Sequence, residues 1–143
     1  DTTIGPNVQL RGRTTIGERC RIDGSAFVTD SAIGDAVHLH FGVVITDPPA
    51  FAKARRDQPA ALRAYGKLAR LAATLTERGG VLFIASCSHH VAPGEFADAV
   101  AWGVHRARRE ARILHMGGAG PDHPLHPMLP ESAYLKGMLL HLP

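Results

Sequence analysis

Two short motifs contain the residues of this chain that are best suited to chemistry. The first is DPPAF at residues 47–51, and the second is SCS at residues 86–88. A cysteine thiolate in a polar, partly open site is a strong nucleophile that can form covalent intermediates. A carboxylate held on a rigid loop can face the same ligand. We therefore predict a catalytic site with Cys87 and Asp47 as its central residues.

The loop that begins at Asp47 is expected to be rigid. Pro48 and Pro49 have a fixed φ and offer no backbone N–H donor. Phe51 could stack on a planar base, and Lys53 could meet phosphates. The alternative is an ordinary turn at the end of a strand, which favours similar residues. Because a second motif accompanies the loop, we predict that Pro48, Pro49, Phe51 and Lys53 bind substrate.

Cys87 also has a structural interpretation. Cysteine is more often a small buried apolar residue than a nucleophile. Its position directly after an apolar run, between two serines, favours a functional role. His89 and His90 follow in the sequence, and they either modulate the thiol or face solvent in the loop.

Each motif directly follows a short apolar run, at residues 43–45 and 81–84. Such runs are typical of strands buried on both faces of a parallel sheet. A helix is predicted between them over residues 59–77. Its buried stripe is expected at Ala61, Tyr65, Leu68, Ala72 and Leu75. Both motifs then leave the carboxyl ends of neighbouring strands, the edge at which open α/β sheets bind ligands.

The rest of the chain predicts one further helix and two further strands. Pro93 suits the first position of the helix, and residues 112–116 and 133–142 are predicted to be strands. The buried stripe of the helix is expected at Phe96, Val100, Val104, Ala107 and Ala111. Four arginines near its end would suit the helix dipole, namely Arg106, Arg108, Arg109 and Arg112.

The motifs DPPAF, SCSHH, GAGPDHP and PESAYLKG, in this order, resemble the C-terminal half of class I S-adenosylmethionine-dependent methyltransferases. Within that class they resemble the family that forms 5-methylcytosine in large-subunit ribosomal RNA. The resemblance covers residues 41–143. It implies a partial Rossmann-like α/β sheet with two helices and an antiparallel last strand. It also implies S-adenosylmethionine as cofactor and ribosomal RNA as partner.

The resemblance assigns roles to the two central residues. Carbon 5 of cytosine is a poor nucleophile, but a thiolate that adds to carbon 6 makes carbon 5 enamine-like and able to attack a methyl group. In the resembled family the position of Cys87 supplies this thiolate. The position of Asp47 helps to hold and polarise the base.

A class I methyltransferase binds its cofactor mainly through a glycine-rich loop after its first strand and an acidic residue after its second. Neither feature is found here. Residues 117–120 (GGAG) are not such a loop, because prolines follow and no helix can start. We therefore assign no cofactor-binding residues and expect little or no activity from this chain alone. Asp122, His123 and His126 lack a complete ligand set, so no metal site is predicted.

Residues 1–40 follow a different pattern, a six-residue period typical of a parallel β-helix. Large apolar residues recur at Ile4, Leu10, Ile16, Ile22 and Val28, and after a deletion of one residue the period resumes at Ile33, Leu39 and Ile45. Glycines or polar residues are expected to relax the corners. The segment resembles the hexapeptide-repeat part of sugar-nucleotide pyrophosphorylase/acetyltransferase proteins. His38 and His40 share one strand face, either as surface residues or as acyltransferase-type catalytic residues.

The predicted fold class is therefore α/β, with two parts. Residues 1–40 form a short hexapeptide-repeat β-helix stub, and residues 41–143 form the C-terminal half of a methyltransferase domain. No flexible linker separates them. The stub has too few coils to be stable alone, so its edge needs a cover. This predicts a homo-oligomer or another association.

Composition sets further bounds. Lysine and arginine number 16 against 13 aspartate and glutamate, which fits either a solvated surface or an RNA partner. Two cysteines in unrelated motifs favour a reducing cytoplasm over a disulfide framework. No apolar run has membrane-spanning length. Two alternatives to a methyltransferase-derived chain remain: a non-catalytic fused fragment or interaction module, and a hexapeptide acyltransferase-type fragment.

Overall fold

A computed structural model describes residues 1–39, 42–120 and 123–143. The predictions made for His40, Phe41, Pro121 and Asp122 fall outside the described residues. Within the described ranges the fold is mixed α/β, as the sequence predicts. Neither α-helix in these ranges is long and apolar enough to cross a membrane.

The first part of the chain consists of short strands joined by tight turns. They are β1 (Thr3–Ile4), β2 (Gln9–Arg11), β3 (Thr15–Ile16), β4 (Arg21–Ile22), β5 (Phe27–Thr29), β6 (Ala32–Ile33) and β7 (His38–Leu39). All their pairings with one another are parallel: β1-β4-β7, β3-β6 and β2-β5. Paired residues lie 17 or 18 positions apart in the sequence, so every third strand lies in the same stack.

A small apolar cluster fills the space between these stacks. Its buried members are Cys20, Ile22, Ala26, Val28 and Ile33. Ile4 and Leu10 remain 49% and 40% exposed, because β1 and β2 lie at the edges of their sheets. The edge formed by the first strands is therefore open to further pairing.

Left-handed φ angles at the corners occur at Gly12 and at polar residues such as Asn7 and Ser25, as predicted, but not at Gly17 or Gly34. Left-handed φ angles occur at Arg19 and Ala36, two positions after Gly17 and Gly34. Gly17 is needed for space instead, since a Cβ there would lie 2.8 Å from the backbone nitrogen of Asp35. The glycine accommodates the close approach of the neighbouring turn.

The second part of the chain alternates strands and helices. Its elements are β8 (Val43–Thr46), α1 (Gln58–Leu75), β9 (Gly80–Ser86), α2 (Pro93–Arg106), β10 (Arg112–Gly117) and β11 (Lys136–Leu142). One six-stranded sheet has the order β10-β11-β9-β8-β5-β2. Strands β8 and β9 are parallel, whereas β11 is antiparallel to both of its neighbours. Because β8 also pairs with β5, the sheet continues into the first part of the chain.

The sheet is fully covered on only one face, which differs from the predicted burial on both faces. Val44, Leu82 and Ile84 are buried in one cluster with residues of both helices. The alternate residues Val81 and Phe83 are only half-buried. A crossover from β8 through α1 to β9 places its helix on one side of the sheet, and α2 packs against α1 on that side.

The two buried helix stripes were predicted in large part. Ala61, Tyr65 and Ala72 of α1 are buried, but Leu75 is 54% exposed and Leu68 is half-buried. The stripe instead includes three small residues, Gly66, Ala69 and Ala73. Helix α2 buries Phe96, Val100, Gly103 and Val104. Ala107 is half-buried and Ala111 is exposed.

Small residues dominate the stripe because the two helices cross at very close range. A Cβ on Gly103 would collide with the carbonyl oxygen of Gly66 and would lie 2.7 Å from the Cβ of Ala69. The backbones therefore touch at this crossing. Interior packing has no space for an added methyl group at such a point.

Arg109 joins α1 to the sheet through hydrogen bonds to backbone carbonyl oxygens. From the sequence we expected it to interact with the dipole of the preceding helix instead. Its guanidinium donates to the carbonyl oxygens of Ala73 and Thr76 at 3.0 and 2.7 Å. It also donates to Glu77 and Leu142 at 3.2 and 3.4 Å. These include carbonyls that the end of α1 leaves without helical partners. Arg109 therefore caps α1 rather than its own helix.

We expect Gly103→Ala to lower the free energy of unfolding by about 1–3 kcal/mol, because the added methyl group overpacks the helix crossing. Urea denaturation checks this. The control is Gly94→Ala in the same helix, where a Cβ meets nothing within 4 Å. Alanine favours helix there, so the control should be as stable as the parent or slightly more stable. Equal stability of both variants would contradict the close crossing.

Candidate active site

The two predicted motifs lie side by side at one edge of the sheet. Strands β8 and β9 are paired up to Thr46 and Ile84, so the loops that follow them are adjacent. The Sγ atom of Cys87 lies 3.8 Å from the carbonyl oxygen of Pro48. The cysteine is half-buried, and its thiol is free. The structure thus brings together the residues that the sequence identifies as the centre of the site.

A cleft of about 710 Å³ opens at this edge. It is lined by Arg13, Asp30, Ala32, Asp47, Pro48, Pro49, Cys87, His123, Tyr134 and Leu135. Asp30 and Arg13 follow β5 and β2, the strands that extend the sheet beyond β8. The cleft therefore lies outside the carboxyl ends of parallel strands, where doubly wound sheets bind their ligands.

Asp47 has an unusual environment for a carboxylate. Its side chain lines the cleft, and burial raises the pKa of Asp47 above its ordinary value. Desolvation disfavours the charged form of a carboxyl group. A carboxyl group of this kind holds its proton to a higher pH and can then donate a hydrogen bond to a ligand.

A buried chain of hydroxyl groups fixes the cysteine loop. Ser86 Oγ donates to Tyr65 Oη at 2.8 Å, and Tyr65 Oη lies 2.8 Å from Ser88 Oγ. The backbone N–H of Ala52 donates to Ser88 Oγ at 3.1 Å, and the N–H of Ser88 donates to Ser86 Oγ at 3.2 Å. Helix α1 is thereby bound to both loops, with Cys87 between the two buried serines.

Lys136 is a residue of the site that the sequence analysis did not single out. It begins β11 and is only 7% exposed. Its Nζ donates to the carbonyl oxygens of Ser88 and Tyr134, each at 2.8 Å. The alternation of β11 was a usable signal, because it puts Lys136 on the same buried face as Met138 and Leu140.

The predicted substrate-binding residues have unequal positions. Pro48 and Pro49 line the cleft. The Phe51 ring lies 4.8 Å from the Tyr65 ring, centre to centre, and packs against the core. Its predicted role as a stacking platform is therefore not favoured by this geometry. Lys53 is exposed and does not line the cleft.

The remaining histidines and glycines add little to the centre. His89 is exposed, and its ring packs edge-on against His90 at 5.1 Å. Gly117 ends β10, and residues 118–120 have no regular secondary structure. Across the described residues, no three histidine, cysteine or acidic side chains are grouped to hold a metal ion.

The described residues do not fit the usual site for S-adenosylmethionine. In a doubly wound sheet, the first strand of the domain lies beside the fourth strand. This first strand carries the glycine-rich loop and leads into a helix. Here the strand beside β8 is β5, and it leads through Asp30 and Ser31 into another short strand, β6. Asp30 has a φ of 48°, within the turn. No helix N-terminus is presented to the cleft from this strand.

Comparisons with known proteins point to methyltransferases. A ribosomal RNA large subunit methyltransferase from Deinococcus radiodurans is 41% identical over 102 residues, which are 71% of this chain and 24% of that protein. Ribosomal RNA large subunit methyltransferase I from Photobacterium profundum is 37% identical over 102 residues, 71% of this chain and 26% of that protein. No family model matches the chain. The chain thus spans about a quarter of the length of these relatives.

Solved structures support the same fold. A protein assigned as a methyltransferase, crystallised with SAH, superposes with a TM-score of 0.57 at 14% identity. The superposition covers 83% of this chain and 40% of that chain. Residues 41–143 alone make up a smaller fraction of the chain than the superposed 83%. The similarity therefore extends into the first part of the chain. The superposed part of the chain accordingly has the fold of part of a Rossmann-like methyltransferase domain.

We expect Tyr65→Phe to lower the free energy of unfolding by about 1–2 kcal/mol, because it leaves two buried serine hydroxyl groups without their shared partner. Urea denaturation followed by circular dichroism measures the change. Tyr134→Phe is the matched control, since the Tyr134 hydroxyl lies in a more exposed region, 3.2 Å from Nε2 of His123. A loss of stability in the control alone would contradict the network.

The raised pKa of Asp47 predicts a pH-dependent effect of Asp47→Asn on stability. Because the pKa is higher in the folded than in the unfolded chain, ionisation of Asp47 opposes folding at neutral pH. The variant should therefore unfold at higher urea than the parent at pH 7. Its advantage should shrink as the pH falls towards about 4, the ordinary range of an aspartate. Exposed Asp98→Asn is the control, and an Asp47→Asn variant less stable at every pH would overturn the assignment.

Proposed function

We propose that this chain carries the target-base half of a ribosomal RNA cytosine-C5 methyltransferase, with Cys87 as its nucleophile. The observation that carries the proposal is the cleft that Cys87 and Asp47 share at the carboxyl ends of β8 and β9. The names of the relatives support methyl transfer to large-subunit ribosomal RNA. The order of the sequence motifs supports carbon 5 of cytosine as the target.

The residues of this chain account for the activation of the base. The Cys87 thiolate forms a bond to carbon 6 of cytosine. The electron pair of the C5–C6 double bond moves to the C4–C5 bond, the pair of the C4–N3 double bond moves to N3, and N3 takes up a proton. The carboxyl group of Asp47, whose pKa burial raises, is the proton donor for N3 in this proposal. Carbon 5 is then the nucleophilic end of an enamine.

The strand beside β8 does not lead into a loop and helix that fit S-adenosylmethionine. The cofactor of the resembled family thus needs a site that the described residues do not form. This observation favours a second candidate function, a non-catalytic fragment or interaction module that keeps inherited motifs. Activation of cytosine in the absence of methyl transfer distinguishes the target-base half of a methyltransferase from a non-catalytic fragment.

RNA is the proposed partner on two grounds. The chain carries more basic than acidic residues, 16 against 13. Lys53, Arg55 and Arg56 are exposed directly after the Asp47 loop, and Arg13 lines the cleft itself. Basic groups around a base-sized cleft suit the phosphate backbone on either side of a target nucleotide.

We also propose that residues 1–40 are a β-helix stub of the hexapeptide-repeat type, placed before the methyltransferase-derived residues 41–143. The parallel stacks with partners 17 or 18 residues apart support this. Its open edge at β1 and β2, together with exposed Ile113 and Leu114 on β10, supports association with a second copy or another chain.

The test is exchange of the hydrogen on carbon 5 of cytidine in D₂O, without any methyl donor. Thiolate addition lets carbon 5 take a deuteron from solvent. Loss of its original proton and expulsion of the thiolate then restore cytosine. We expect the H5 signal of a short cytidine-containing RNA to decay in proton NMR spectra with the parent chain.

Two variants make this test specific. Cys87→Ala should reduce exchange to the rate in buffer, because no nucleophile remains. Cys20→Ala should exchange like the parent, since Cys20 is buried in the first part of the chain. A folded parent chain that causes no exchange would refute the nucleophile and favour the non-catalytic fragment.

A further inference from the structure

Lys136 is a buried cation that the proposed base-activation step does not use. Its two hydrogen bonds go to backbone carbonyls, not to a carboxylate. Among the ion pairs formed by the described residues, none includes Lys136. A buried ammonium without an anionic partner is costly, so such groups are retained where the charge has a use.

Lys136 lies next to both residues that flank Cys87 in the sequence. Lys136 is the register partner of Ser86, the residue before the cysteine. Its Nζ is bound to the carbonyl oxygen of Ser88, the residue after the cysteine. An ammonium carries three N–H donors, and two of them are occupied by Ser88 and Tyr134. The third donor has no hydrogen-bond partner among the described residues.

The electrostatics of Lys136 agree with this geometry. Burial lowers the pKa of Lys136, whereas a negative charge on Cys87 acts in the opposite direction. The two sites therefore interact through their charges, and a thiolate is the anion that would stabilise the buried ammonium. The attraction between two charges stabilises both charged forms.

We propose that Lys136 is a positioning residue whose ammonium group forms an ion pair with the thiolate of Cys87 and stabilises this nucleophile by its charge. The proposal rests on the proposed function, since it explains how Cys87 could attack a base. No proton donor or acceptor beyond these two groups and solvent is required. The Cys87 proton passes to water, and the ammonium remains bound between the two carbonyls.

Other charged and titratable groups face Cys87 across the cleft. They are Arg13, Asp30, Asp47, His123 and Tyr134. Arg13 favours a thiolate, and ionised Asp30 and Asp47 oppose it. Because these groups stay unchanged in Lys136 variants, the comparison of such variants isolates the contribution of the ammonium.

The experiment measures the rate at which iodoacetamide alkylates Cys87 in the folded chain between pH 6 and pH 10. Peptide mass spectrometry separates Cys87 from buried Cys20. Lys136→Gln removes the charge but keeps an N–H donor for the Ser88 carbonyl. We expect alkylation about tenfold slower than the parent at pH 7, because the thiolate population falls. At pH 10 the two rates should agree within about threefold, since both thiols are then ionised.

The outcomes separate an electrostatic from a purely structural role. An equal slowing at every pH would mean that Lys136 only holds the loop, and an unchanged profile would mean that it does nothing to Cys87. Either result overturns the proposal. Lys67→Gln on the exposed face of α1 is the control and should match the parent. If the Gln variant does not fold, Lys136→Arg should keep the parent profile and Lys136→Met should lose it.

Failure of this proposal is distinguishable from failure of the proposed function. Alkylation needs neither RNA nor a methyl donor, whereas carbon-5 exchange needs the nucleotide. A shifted alkylation profile without exchange would support the ion pair and refute the base-activation role. Exchange with an unshifted profile would support base activation and refute the ion pair.

Discussion

The hydroxyl chain through Tyr65, Ser86 and Ser88 is the constraint on which the site depends. A buried hydroxyl must find a partner, because an unsatisfied one costs about 1–3 kcal/mol. Here each of the three satisfies another, and the N–H of Ala52 completes the set. The loops after β8 and β9 therefore cannot move independently of α1. Cys87 and Asp47 owe their shared cleft to core packing and not to direct contact.

The close crossing of the helices also helps to hold Tyr65 in place. Tyr65 lies in the stripe that Gly66 and Gly103 bring against α2, and its ring packs edge-on against Phe96. Arg109 ties the end of α1 to the last strand through backbone carbonyls. The helices thus form a rigid support on one face of the sheet. The site at the sheet edge inherits this rigidity, which a nucleophile needs for an oriented attack.

The sheet edge beyond β8 has a different character. A doubly wound domain would place a phosphate-binding loop and a helix N-terminus there, but β5 and β2 bring Asp30 and Arg13 to the cleft instead. The part of the cleft beside β8 and β9 therefore resembles the predicted methyltransferase sheet, and the part beside β5 and β2 does not. This asymmetry is the reason that the proposed base activation does not imply methyl transfer.

Local pattern sufficed for much of this architecture. The apolar runs, the helical stripe of α2 and the proline at its start predicted β8, β9 and α2, and the two motifs identified the edge that carries Cys87 and Asp47. The face of α1 was harder, because its stripe consists of alanine and glycine, whose burial depends on a second helix crossing closely. Phe51 was predicted to face a base, but its ring packs against Tyr65 and the core. Lys136 was missed because only pairing of β11 with β9 puts a lysine beside Cys87. Residue type and spacing thus determined which groups could do chemistry, while contacts between elements distant in sequence decided which of them meet, since those contacts depend on packing that no local pattern records.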